Sequence, residues 1–198
     1  VNEYLGKDLA KLFAAIGKGR EARRVAGRIV EARRQGPIRT TAALADLIAA
    51  TVAAYSNALH CPFILDDALD IAENPSIRRL WPIWHPLIVT SQGKTAPHYR
   101  PTANLSFAVN YATGELNPLH YHLTNLAIHV LAGLTLFGIA RRTLTLPSMA
   151  ERYARAATPL ALAIAMIWTL HPLQTQAVTY ITQRYESLMG MLYFLSLY

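Results

Sequence analysis

Residues 121–140, YHLTNLAIHVLAGLTLFGIA, hold no Asp, Glu, Lys or Arg, and Arg141-Arg142 follow directly. Twenty such residues at about 1.5 Å each make a helix of about 30 Å, the thickness of a bilayer's hydrocarbon core. A run of this kind limits the fold to one in which backbone polar groups are satisfied within the segment, which in lipid means a helix.

Other stretches extend the pattern. Residues 40–59, TTAALADLIAATVAAYSNAL, have the length of one crossing, with Asp46 near one end; a soluble helix is the alternative there. Residues 156–171 form another apolar stretch with Trp168 near its far end, where an aromatic ring suits the interface. SLMGMLYFLSLY (187–198) begins a fourth span of about 18 Å. Composition agrees, since 53% of residues are hydrophobic and only 16% charged, against about a quarter charged in soluble domains. The reading is an all-α, polytopic transmembrane bundle, in which residues 40–198 form the membrane domain.

Residues 60–120 differ in kind. Seven prolines (Pro62, Pro75, Pro82, Pro86, Pro97, Pro101 and Pro118) punctuate a polar segment, which reads as one long loop carrying short interfacial helices. Within it, NLSFAVNYAT (104–113) places Leu105, Ala108, Val109 and Ala112 at helical spacing.

Charge gives the orientation. Residues 1–39 carry ten Lys/Arg against four acids, nearly the whole net charge of +7. Leu5, Leu9, Leu12, Phe13 and Ile16 among these charges suggest a basic amphipathic helix over 5–34 at an anionic leaflet, with a solvated helix or basic tail as the alternative. The 141–155 loop holds Arg141, Arg142, Arg152 and Arg155, whereas 60–120 spreads four Lys/Arg over 61 residues. The positive-inside rule puts the first two segments in the cytoplasm. Loop 60–120 and the turn near 171–185 then share the far side, periplasmic if the membrane is a bacterial inner membrane. A basic excess confined to one terminus, beside apolar spans, does not point to nucleic acid. Cys61, the single cysteine, allows no internal disulfide.

Chemistry-bearing residues gather on the far side. Asp66 and Asp67 come a few residues after a span, at the level where a lipid-borne substrate presents its head group. Such a pair can serve as general base or hold a divalent cation, while Asp67 with Asp70 can equally start a short helix. HPLQTQAVTYITQRYES (171–187) brings His171, Gln174, Thr175, Gln176, Arg184 and Glu186 to the membrane boundary. Arg184 suits a lipid phosphate, with snorkelling or pairing to Glu186 as the alternative, and Arg100 has the same two readings. His98, His120, His122 and His129 do not follow metal-ligand spacing, and no structural zinc is expected.

Three blocks, NALHCPFILDDALDIAENPSI, YRPTANLSFAVNYATGELNPLHYHLTNLAIHVLAGLTLF and HPLQTQAVTYITQRYESLMGMLYFLSLY, occur in that order. Together they resemble the N-terminal membrane domain of multi-spanning proteins with C-terminal tetratricopeptide (TPR) repeats: the animal transmembrane and TPR O-mannosyltransferases and their bacterial relatives. The match covers about residues 56–198 and leaves the first 39 without a counterpart. The resemblance implies a GT-C-fold glycosyltransferase moving a sugar from a polyprenyl-phosphate donor to an acceptor protein's hydroxyl outside the cytoplasm. It maps Asp66 and Asp67 onto the family's acidic pair, one of them the general base, and gives the HPLQTQAV and QRYES blocks, with His171, Gln174, Thr175, Gln176 and Glu186, a part in shaping the donor site; the charge of the leaving donor phosphate would then fall to Arg184 and Arg100. No cofactor beyond an optional divalent cation is implied. Thr175-Gln176 departs from the Thr-Glu frequent in the family. GT-C enzymes use more spans than three and a half, so the chain alone is expected to lack activity. A non-catalytic membrane anchor for a TPR interaction module, or a protein that ligates or transports envelope glycopolymers, are the competing readings.

Overall fold

The computed structural model describes residues 40–88 and 100–198, so the basic stretch 1–39, with its expected amphipathic helix, lies outside the described residues. All regular elements among the described residues are helical. The five longer helices are α1 (Thr40–Tyr55), α2 (Pro101–Gly114), α3 (Pro118–Leu144), α4 (Ala157–Thr169) and α5 (Arg184–Leu197). Proline opens α2 and α3, where its missing N–H leaves no intrahelical bond unmade.

Two helices, Thr41–His60 and Pro118–Leu144, are long and apolar enough to cross a membrane. The pair Pro147–Thr169 and Pro172–Thr179 adds a third if it forms one broken span. The uncharged run 121–140 is thus the centre of a longer helix. Arg141 and Arg142 stay helical beyond it, because charged side chains leave backbone hydrogen bonding intact.

Contacts divide the chain into two compact units. The first takes the described part of Val1–Thr51, with Gly133–His171 and Tyr198. Its core joins Ala43 and Leu47 of α1, Phe137 of α3, and Ala161, Leu162 and Ala165 of α4. Small residues let α3 and α4 approach closely. A Cβ added at Gly133 would lie 2.4 Å from Thr169 Cγ2, so only glycine fits. Thr51 and Thr169 return their hydroxyl protons to carbonyls one turn back, at 2.7 Å and 2.9 Å, which hides both from apolar surroundings.

The second unit comprises Val52–Ala132 and Pro172–Leu197. Its core is Ile71, Ile77, Phe107, Ala108, Tyr121 and Ile181, flanked by Phe63, Leu80, Tyr111 and Tyr185. The segment read as a loop from 60 to 120 therefore contributes much of a packed core, including α2. A buried amide network fixes its irregular part. Asn74 donates to Asp70 O (2.8 Å) and Asn104 Oδ1 (3.1 Å), while Asn104 donates to Ser76 Oγ (2.9 Å) and Pro86 O (2.6 Å). Buried polar groups satisfied in this way specify one loop geometry, since any other would leave them unpaired. His129 is buried edge-on against Tyr55, with ring centroids 5.4 Å apart.

Candidate functional site

The acidic pair divides its labour. Asp67 is 1% exposed, and its two carboxylate oxygens accept from different backbone donors: Oδ2 from Ile64 N at 3.1 Å and Oδ1 from Thr182 N at 2.9 Å. It makes no cap bond to the helical turn that follows. Asp67 is therefore a clamp between two segments 115 residues apart, built from charge-assisted bonds of the stronger kind. Asp66 is exposed, and its backbone N–H donates to the Tyr180 hydroxyl at 3.1 Å. Both aspartates are thus tied to the 180–182 segment, with only the Asp66 carboxylate facing outward.

One turn on, Asp70 accepts from the Tyr185 hydroxyl at 3.0 Å. Burial raises the Asp70 pKa above the ordinary carboxylate value; the Tyr185 bond lowers it, Asp66 and Asp67 raise it further, and Arg100 lowers it. The Arg100 guanidinium lies over the Tyr185 ring, 4.6 Å from its centroid, and 3.3 Å from Glu186 Oε1. Both partners of that pair are about half exposed, so the pair adds little stability and leaves Arg100 reachable.

Arg184 is the largest fully buried side chain among the described residues. Its Nε donates to Asn125 Oδ1 at 2.6 Å, one terminal nitrogen to Asn110 Oδ1 (2.6 Å) and Ser106 Oγ (3.1 Å), and the other to Tyr121 O (2.9 Å). The guanidinium also stacks on Phe107, 4.5 Å from the ring centroid. Among the described residues no carboxylate lies within ion-pair distance of it, and Asp67 supplies nearby negative charge. Glu186, the neighbour in sequence, pairs with Arg100 instead. Asn125 completes the frame by pointing its amide at Val178 O, Tyr180 O and Ile181 O, at 3.3–3.4 Å.

The remaining candidates make none of the hydrogen bonds described above. Thr175 and Gln176 are exposed and Gln174 is half-buried; these three precede the Tyr180–Arg184 turn in the second unit. His171, half-buried, belongs to the first unit. Asp70, read from sequence only as part of a helix start, joins Tyr180 and Tyr185 around the carboxylates; these two tyrosines, and Ser106, Asn110, Tyr121 and Asn125 around Arg184, are the residues not singled out from sequence. Amides on apolar helices were the available signal, because a buried amide demands a partner.

A divalent cation fits poorly between Asp66 and Asp67, since backbone N–H groups already face both Asp67 oxygens. Asp66 alone remains as a ligand.

Comparison with known proteins gives two findings. Residues 1–76 match the MraW methylase family, and this match takes in the basic stretch for which the residue pattern offered no relative. Separately, the chain is 27% identical over 158 residues to "Protein O-mannosyl-transferase TMTC3" of Mus musculus, covering 76% of the chain and 16% of that protein. It is 28% identical over 172 residues to "Protein O-mannosyl-transferase TMTC1" of Homo sapiens (83% and 18%). It is 31% identical over 145 residues to "Protein O-mannosyl-transferase Tmtc1" of Drosophila melanogaster (69% and 15%). The chain spans between about a seventh and a fifth of the length of such relatives. No solved structure matches.

Proposed function

We propose that this chain is part of a GT-C-type membrane glycosyltransferase that moves a sugar from a polyprenyl-phosphate donor to a protein hydroxyl on the non-cytoplasmic face. The observation that carries the reading is the clamp from Asp67 to Thr182, which knits the acidic block to the QRYES block and leaves the Asp66 carboxylate outward. Similarity to proteins named O-mannosyl-transferases supports the same class of reaction.

In this reading Asp66 is the general base. It takes the proton of a Ser or Thr hydroxyl as the oxygen bonds to the sugar's anomeric carbon and the bond to the donor phosphate breaks, with inversion. The leaving polyprenyl phosphate needs positive charge. Arg100, reachable and held over Tyr185, makes direct contact with it, while buried Arg184 supplies a field from beneath. Asp67 positions rather than reacts. Gln174, Thr175, Gln176 and Glu186 shape the donor's surroundings. The membrane is a bacterial inner membrane, with the N-terminus in the cytoplasm and residues 60–120 in the periplasm.

A photoactivatable polyprenyl-phosphate sugar, offered to the chain in nanodiscs, tests the donor side. Capture that unlabelled donor suppresses, and that falls about tenfold in Arg100→Ala, is expected from loss of one charge-assisted phosphate contact. Equal capture by Arg100→Ala, or none by the unaltered chain, refutes the assignment.

A further inference from the structure

The turn that delivers the carboxylates holds a leucine against two of its own preferences. Leu65 has φ 48°, in the left-handed region that a side chain with a Cβ disfavours. It is also 78% exposed, and Ile64 (48%) and Leu69 (53%) are exposed beside it. The arrangement is tightly specified. Asp67 N donates to Ile64 O at 2.9 Å, Ala68 N to Leu65 O at 3.2 Å, and Ile64 N to the Asp67 carboxylate at 3.1 Å. A strained residue persists only where its surroundings over-determine it. Here those surroundings hold a leucine away from protein.

Chain position supplies the occupant. Thr41–His60 is long and apolar enough to cross a membrane, and Leu65 follows its end by five residues, at most about 18 Å of extended chain. That distance keeps the ridge near the boundary between hydrocarbon and head groups. Exposed Asp66 and half-buried Asp70 next to it disfavour anionic head groups and favour zwitterionic ones. We infer that Ile64, Leu65 and Leu69 form a ridge inserted among the acyl chains of the surrounding bilayer, seating the Asp66 carboxylate at head-group level. The inference requires a membrane-embedded chain and assumes nothing about transfer chemistry.

The test uses the full chain in phosphatidylcholine nanodiscs. With Cys61→Ser, an environment-sensitive fluorophore is attached at Leu65→Cys, at Leu69→Cys, or at the exposed reference Thr113→Cys. Quenching by an acyl-chain nitroxide is expected to be about threefold stronger at 65 and 69 than at 113, as for apolar side chains below the head groups. Equal quenching at all three sites overturns the inference. Because labelling can disturb the turn, the unaltered chain is also treated with phosphatidylcholine bearing a diazirine at the acyl terminus. Cross-links within 64–69 support insertion; their absence, or their loss on adding polyprenyl phosphate, overturns it, the latter by giving the ridge to a lipid substrate. Donor capture at Arg100 can fail while these cross-links persist, so the two proposals fail separately.

Discussion

Replacing Arg184 with lysine tests whether the buried cation matters for its charge or for its shape. Lysine keeps the charge. The guanidinium, however, reaches Asn125, Asn110, Ser106 and Tyr121 O at once through a planar fork and lies flat on Phe107. An ammonium is a point donor and can satisfy about two of those four acceptors. Hydrogen bonds to charged groups contribute about 1.5–3 kcal/mol each, so losing two removes about 3–6 kcal/mol. For a chain of this size 1 kcal/mol moves the midpoint by about 2–4 °C, which gives a drop of about 6–24 °C. Thermal unfolding in detergent and in nanodiscs reads this directly. Native-state hydrogen exchange should localise the loosening to 104–126 and 178–186. An Arg184→Lys midpoint within about 2 °C of the unaltered chain would refute the fork argument and leave charge alone as the reason for the arginine.

Three further outcomes are expected. Asp67→Asn turns an amide N–H toward a backbone N–H and weakens both clamp bonds, so it should destabilise by about 2–4 kcal/mol, measurable as a lower unfolding midpoint. Asp70→Asn should change the pH dependence of stability. With a folded pKa above the ordinary carboxylate value, the protonated Asp70 favours the fold at low pH and that contribution is lost as pH rises through the raised pKa. The variant's midpoint should therefore gain on the unaltered chain as pH rises from below 4 to 7; parallel curves would refute this. Gly133→Ala should force α3 and α4 apart at Thr169 and lower stability by about 1–3 kcal/mol, an effect that Thr169→Ser, which removes the clashing methyl, should partly relieve.

Helices were legible in the sequence where a single period dominated. The 121–140 run lies inside α3, and 104–113 lies inside α2, whose start shifts to Pro101 because proline is at home in a first turn. The acidic pair was visible as a motif, but its division of labour was not. Burial of Asp67 depends on Thr182 N, 115 residues distant, and nothing local to 66–67 separates the two carboxylates. Arg184 presents the same problem. Its position beside an apolar run suggested an interfacial cation, whereas its surroundings are set by amides on α2 and α3. Sequence displayed Asn110 and Asn125 without saying that one guanidinium would satisfy both.

The Arg184 frame also has a temporal side. Asn125 and Ser106 precede Arg184 by 59 and 78 residues. At the usual pace of synthesis, about 5–20 residues per second, their acceptors leave the ribosome on the order of ten seconds before the cation that will occupy them. During that interval α3 carries an amide whose final partner has yet to be translated. The second unit can close only after residue 184 emerges, so a ribosome pausing upstream of it should leave a nascent chain that is sensitive to protease between α2 and α3. One pausing downstream should leave a resistant chain.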